Sequence, residues 1–160
     1  MAIYLEYEGI KGNCTADGYK DHLVILSMQF GIGRGISMEA GNMANREATR
    51  PTLSEVTLTK KADNSMTDLF KESVTGASGK TVKIKFVQTG ADKLIEYADY
   101  ELSDCIVSSY NISADAEGDP VETFSLSYSK IMVNYNDHDK SNKGKSPQRV
   151  GYALDVGKPL

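Results

Sequence analysis

The chain has 160 residues, of which 40% are hydrophobic and 25% charged, and its formal net charge is −4. That length predicts a single domain over 1–160 that buries its core without disulfides. The mild acidity argues against a nucleic-acid partner, whose phosphates it repels. No run approaches ~18 consecutive apolar residues, which argues against membrane insertion, and Met1-Ala-Ile-Tyr-Leu-Glu-Tyr-Glu8 lacks the basic start and apolar stretch of a secretory signal. The chain is therefore expected in the cytoplasm, with any export by another route.

Period-two alternation dominates the chain and predicts strands. Ile3, Leu5 and Tyr7 share one face of the first, and a polar loop follows over 9–20. A second, longer strand is expected over 22–36. Val24, Leu26, Met28, Phe30 and Ile32 form its core face, with Ser27, Gln29, Gly31 and Gly33 on the other. Residues 33–52 hold neither a strand nor a helix period, and so long an irregular stretch in a small domain marks a functional loop. Val56 and Leu58 point inward from a third strand over 54–60.

One short helix is expected next. Ser65-Met-Thr-Asp68 fits a capping box, Met66, Leu69, Phe70 and Val74 form an apolar stripe assigned to the core, and Gly76 is a plausible stop. Further strands carry Val82, Ile84 and Phe86, then residues 94–102, then Ile106, Ser108, Tyr110 and Ile112. A turn over 113–120 leads to a long strand over 121–135. Its inward residues change parity between Tyr128 and Ile131, which predicts a bulge near Ser129-Lys130. A basic loop over 136–147 contains Lys140, Lys143 and Lys145, and Val150, Tyr152, Leu154 and Val156 form the last strand. The sum is a mainly β protein, a small β-barrel or sandwich of about eight strands with one short α-helix.

No pattern of catalytic or ligating residues stands out. Gly31-Ile-Gly-Arg-Gly35 has Ile36 where a dinucleotide turn needs its third glycine. Asp137-His-Asp139 begins like a calcium loop but lacks its glycine and terminal glutamate, and His22 and His138 stand outside any metal-ligand spacing. Glu96, Asp99, Glu101 and Asp104 read as a charged outer face. Cys105 in a strand reads as a buried thiol and Cys14 as part of a polar turn, with no disulfide framework. No cofactor or metal is called for, and the chain reads as a building block and not an enzyme.

Several segments, in order and over nearly the whole length, carry a resemblance. They are Ile3-Tyr-Leu-Glu-Tyr-Glu-Gly-Ile-Lys-Gly12, Leu26-Ser-Met-Gln-Phe-Gly31, Ser37-Met-Glu-Ala-Gly41 and Val56-Thr-Leu-Thr-Lys60. Val107-Ser-Ser-Tyr110, Pro120-Val-Glu-Thr-Phe-Ser-Leu-Ser-Tyr-Ser-Lys-Ile131 and Gly151-Tyr152 continue the series. Together they resemble the Hcp (haemolysin-coregulated protein) family of the type VI secretion system.

The resemblance implies a homo-hexameric ring that stacks on itself into the inner tube of that system. It also implies contact with spike and sheath proteins, carriage and chaperoning of effector proteins in the lumen, and export through the system itself. Ser27 and Gln29 are placed on the lumen wall, although Met28-Gln29-Phe30 stands where the family often has Trp-x-Trp. The loop from 35 to 52, with Ser37, Glu39, Asn42, Arg46 and Arg50, corresponds to an arm that reaches neighbouring subunits and stacked rings. The alternative is a β-barrel that binds a small molecule, which requires an apolar interior with a few convergent polar groups.

Overall fold

The computed structural model describes residues 1–48, 50–76, 78–90, 92–136 and 147–160, and of residues 37–39 and 42–48 the backbone alone. The expected basic loop, with Lys140, Lys143 and Lys145, and the Asp137-His-Asp139 triplet lie outside the described residues.

The strands run in chain order β1 (Ala2–Tyr7), β2 (Leu23–Ile25), β3 (Ser27–Gln29), β4 (Ile32–Gly33), β5 (Ile36–Glu39), β6 (Asn42–Ala48), β7 (Thr52–Leu53) and β8 (Val56–Lys61). After the helix α1 (Met66–Thr75) come β9 (Lys80–Thr89), β10 (Leu94–Ser113), β11 (Val121–Ser127), β12 (Lys130–Tyr135), β13 (Gln148–Ala153) and β14 (Lys158–Pro159). The architecture is mainly β with one short helix, as the alternation predicts.

β10 organises it. This strand of 20 residues is continuous where the sequence suggested two. Its first half pairs with β9 on one side and β12 on the other, and its second half, from Ile106 on, pairs with β11. β9 continues the sheet to β1 and β2, and β11 continues it to β8 and β3. The barrel seam is crossed by the chain itself. β2 and β3 are consecutive, and between them Leu26 donates its backbone N–H to the Thr59 carbonyl at 2.7 Å.

That seam corrects the expected long second strand. Leu23 and Ile25 are buried, the chain bends at Leu26, and Met28 and Phe30 then pack against the core. The inward face changes parity at the bend, so Val24 and Leu26, assigned to the core by alternation, are exposed. Ile32, also assigned to the core, is exposed in β4, which pairs with β7 outside the main sheet. A parity change was expected in the long strand over 121–135, and there the ladder does break at Tyr128 and Ser129. Phe124, Leu126 and Tyr128 are buried before the break and Ile131 after it.

The stretch over 33–52 is regular, not irregular. β4 pairs with β7, and β5 pairs with β6 around a tight turn in which Gly41 has φ +81, a backbone conformation open to glycine at no steric cost. Ser54 donates its N–H to the Gly31 carbonyl at 2.9 Å and accepts the Gly31 N–H on its hydroxyl at 2.9 Å. These bonds carry the β3–β8 ladder into the arm. Polar residues stand at both odd and even positions of the arm (Ser37, Glu39, Asn42, Arg46), which hides the period that a half-buried strand displays.

Leu5, Leu23, Val56, Leu58, Leu69, Val82, Ile84, Leu102, Phe124 and Leu126 are fully buried and fill the barrel. Of the helical stripe assigned to the core, only Leu69 is buried, while Phe70 and Val74 are 60% and 67% exposed and Met66 is exposed as well. The capping box does not form, since Ser65 has helical backbone angles and directs its hydroxyl to Asp63 Oδ1. Gly76 ends the helix as expected.

Three further expectations are corrected. Cys14 is buried with Tyr19 and Val87, because the loop after β1 folds back over the sheet. Tyr19 stacks on Tyr4 with centroids 4.9 Å apart and donates its hydroxyl to Glu96 at 3.0 Å. Of the four acids expected on an outer face, Asp104 alone is exposed, and Glu96, Asp99 and Glu101 are half-buried. The last strand ends at Ala153 and turns through Gly157 (φ +64), which leaves Leu154 and Val156 exposed in the turn. Cys105 is buried as expected, and burial pushes its thiol up to about 12.

Candidate functional site: a neutral sheet face

β3, β8, β11 and the second half of β10 form a four-stranded antiparallel unit whose two faces differ in chemistry. Pairing fixes which residues share a face. Gln29 is opposite Thr57, Thr57 opposite Ser125, and Ser125 opposite Ser109. In the next row Ser27 is opposite Thr59, Thr59 opposite Thr123, and Thr123 opposite Asn111. Two rows of four side chains, all hydroxyl or amide and none charged, therefore cover this face. Thr57 Oγ1 and Ser125 Oγ lie 3.1 Å apart and tie neighbouring strands.

Charge is held to the margins. Glu55 at one end accepts the Ser108 hydroxyl at 2.6 Å, and Lys61 at the other lies 3.9 Å from Asp119. Both outer strands of the unit are open. Among the described residues β3 pairs with β8 alone, and residues 106–113 of β10 pair with β11 alone.

The opposite face carries the core and one polar network. Lys60 and Glu122 are cross-strand partners with fully buried side chains, and the Lys60 ammonium contacts Glu122 Oε2. It also donates to Asp63 Oδ1 and to the Lys61 carbonyl, both at 3.0 Å. Glu122 Oε1 accepts the Tyr110 hydroxyl at 2.5 Å. Burial and that carboxylate raise the Tyr110 phenol above its ordinary value. Burial acts to raise the Asp63 carboxyl, but the Ser65 hydroxyl and amide and the Lys60 ammonium together hold it below its ordinary value. The network satisfies buried charge and braces β8, β11 and the start of α1 behind the neutral face.

Ser27 and Gln29 are exposed at the edge of this face, on the side that alternation gave them. Alternation at these two positions did not reveal their six companions. A signal was present: Thr57-Leu-Thr59, Thr123-Phe-Ser125 and Ser109-Tyr-Asn111 each alternate a hydroxyl or amide with a core residue. Ser37, Glu39, Asn42 and Arg46 lie in the β5–β6 arm, where Ser37 is opposite Glu47 and Glu39 opposite Asn42. Arg50 is at the arm's root, and its Nη1 lies 3.1 Å from the position that a Cβ on Gly157 would take, so its guanidinium rests on the C-terminal turn of the same chain. Among the described residues no group of three His, Cys, Asp or Glu side chains is placed to hold a metal ion.

Comparison with known proteins identifies the family and the fold. Residues 4–135 match the sequence model of the family described as "Type VI secretion system effector, Hcp", and the chain belongs to that family. A solved structure of a type six secretion system protein superimposes with a TM-score of 0.91 at 23% identity, covering 99% of both chains. Hcp1 from Salmonella typhimurium gives 0.78 at 23% identity, covering 99% of this chain and 98% of that one. A mutant form of Hcp1 from the E. coli EAEC 042 pathovar gives 0.71 at 19%, covering 96% and 97%. No curated protein sequence matches significantly.

Proposed function

We propose that the chain is the subunit of a ring that stacks into the inner tube of a type VI secretion system, holds effector proteins in its lumen and leaves the cytoplasm with them. The observation that carries this reading is the uncharged lattice of Ser27, Gln29, Thr57, Thr59, Ser109, Asn111, Thr123 and Ser125 on a sheet with both edges open. A conduit wall must stay wet without gripping what passes. Hydroxyls and amides exchange bonds with water for a net gain of only about 0.5–1.5 kcal/mol each, so contact with cargo is broad and weak. Open edges permit copies to add side by side, and a heterologous contact repeated by rotation closes into a ring.

Hexameric stoichiometry, ring stacking through the arm bearing Ser37, Glu39, Asn42, Arg46 and Arg50, and contact with spike and sheath proteins follow from family membership in this reading. So does a single domain over 1–160 that performs no catalysis. The small-molecule barrel finds less support, since Phe124, Leu58, Leu102 and their neighbours fill the interior. Negative-stain microscopy with light scattering on the purified protein tests the proposal. Annular particles of six copies with an open centre are expected, and a monomer at high concentration overturns it.

A further inference from the structure

We infer that a polar cavity beside the first half of β10, bounded by Asp99, Asn136 and Arg149, binds a small zwitterionic amino acid, its ammonium on Asp99 and Asn136 and its carboxylate on Arg149. The site lies apart from the neutral face and does not rest on the ring reading.

Glu96 and Asp99 of β10, Asn134 of β12, Asn136 just beyond it and Arg149 of β13 line a cavity of about 320 Å³. That volume is at the lower end for a small-molecule site. Pairing fixes the order within it. Lys85, Asp99, Asn134 and Arg149 are successive partners across β9, β10, β12 and β13, and so share one face. The backbone N–H of Asn136 continues the ladder to the Tyr97 carbonyl at 2.8 Å.

Two of these side chains carry an unmet bond. Asp99 Oδ1 and Asn136 Oδ1 are both sealed from solvent, and neither has a hydrogen-bond partner. Buried acceptors without donors are rare in folded chains, and a carboxylate so placed is costly unless a cation meets it. Lys85, its partner on β9, does not, because that ammonium is turned to Glu6 Oε2 at 3.0 Å and His22 Nε2 at 3.2 Å. Arg149, at the other end of the row, is exposed and makes no ion pair among the described residues. Glu96 is engaged by the Tyr19 hydroxyl at 3.0 Å.

The occupant's chemistry follows. Two acceptor oxygens, one of them on a charged group, call for a compact cationic donor, and an ammonium offers three N–H groups from one atom. A bare metal ion suits the site less. A hard cation takes about six to eight oxygens, and the Arg149 guanidinium repels it. That same guanidinium is a fork for a carboxylate. Arg149 stands two strand spacings from Asp99, about 10 Å, a span that its own long side chain shortens. One small molecule with a charge at each end therefore meets both. A water molecule would bond the two oxygens but leave the charge of Asp99 unpaired.

Saturation-transfer NMR and calorimetry on the full-length protein test the site. The probes are glycine, β-alanine, 4-aminobutyrate and 6-aminohexanoate, with butylamine and butyrate as controls that carry one charge each. At least one of the amino acids is expected to saturate within the millimolar range and to bind more tightly than either control. Arg149→Gln is expected to weaken that amino acid about tenfold, as the loss of a hydrogen bond to a charged group does, and to leave butylamine unchanged. Asp99→Asn is expected to weaken both. It is also expected to melt no lower than the parent, since an unpaired carboxylate opposes folding. Three results overturn the site and leave water as the occupant: no binding by any amino acid, binding no tighter than butylamine, or equal losses for both ligands in Arg149→Gln. An Asp99→Asn variant that melts lower overturns it too, by making Asp99 a support of the fold. Each of these results leaves the ring reading standing.

Discussion

Lys60 on β8 and Glu122 on β11 face each other across the ladder with both side chains sealed from solvent, directly behind the neutral rows of Thr59 and Thr123. A buried pair of this kind is held by mutual attraction that offsets a large desolvation cost, so losing one partner is worse than losing both. Lys60→Met leaves Glu122 an uncompensated buried charge and is expected to lower stability by about 3–5 kcal/mol. Lys60→Met combined with Glu122→Leu is expected to recover most of that loss. Urea midpoints for the parent, both singles and the double measure the coupling, and strictly additive singles would contradict it.

Asp63 extends the network to the start of α1 and gives it a pH signature. Its carboxyl is held below its ordinary value of 3.8 in the folded chain, because bonds from Ser65 and Lys60 outweigh burial. The stability that this group contributes is therefore complete above the unfolded value and is lost as pH falls through the lower folded one. Asp63→Asn is expected to reduce stability near neutrality by about 1.5–3 kcal/mol, the range for hydrogen bonds to charged groups. It is also expected to flatten the acid limb of the stability profile. Melting curves taken at pH 7, 4 and 3 check both; an unchanged acid slope in the variant would mean that Asp63 is not held low.

How far the sequence reveals this fold depends on whether one face of an element is buried throughout. Val82, Ile84 and Phe86 alternate cleanly because the back of β9 packs on the core along that stretch. The same rule misplaces Val24 and Leu26, since alternation assumes a straight ladder and the bend at Leu26 reverses the faces. The stripe Met66, Leu69, Phe70 and Val74 is helical in period, yet periodicity identifies a face and not what covers it, and within one chain only Leu69 is covered. Ser27 and Gln29 are legible as a polar face. The rest of the lattice depends on the order β3-β8-β11-β10, set by pairings between residues far apart in the chain, which local pattern does not encode.

The lattice itself predicts how charge will act there. Gln29 is exposed at its edge and makes no core contact, so Gln29→Arg and Gln29→Glu are expected to leave folding and ring formation intact. Either charge fixes an oriented hydration shell in a wall otherwise free of charge. Both are expected to reduce the amount of a co-expressed effector that co-purifies with the rings, by roughly the tenfold that 1.4 kcal/mol represents. Co-purification followed by quantitative mass spectrometry reads the effect. Unchanged retention in both variants removes Gln29 from the cargo-facing wall, and broken rings would place it in the subunit contact.

The arm separates assembly from folding. β5 and β6 pair with each other and with no other described strand, so their ladder contributes no hydrogen bond to the barrel. Replacing residues 37–47 with Asn-Gly, a dipeptide suited to a two-residue hairpin turn, keeps the β4–β7 pairing and the Gly31–Ser54 bonds that root the arm. The shortened chain is expected to melt within about 1 kcal/mol of the parent, as befits the loss of an element outside the core. It is also expected to form single rings that no longer grow into tubes. Melting curves and electron micrographs taken on the same preparation decide it. Tubes of normal length would free the arm from any role in stacking, and a large loss of stability would make it part of the fold.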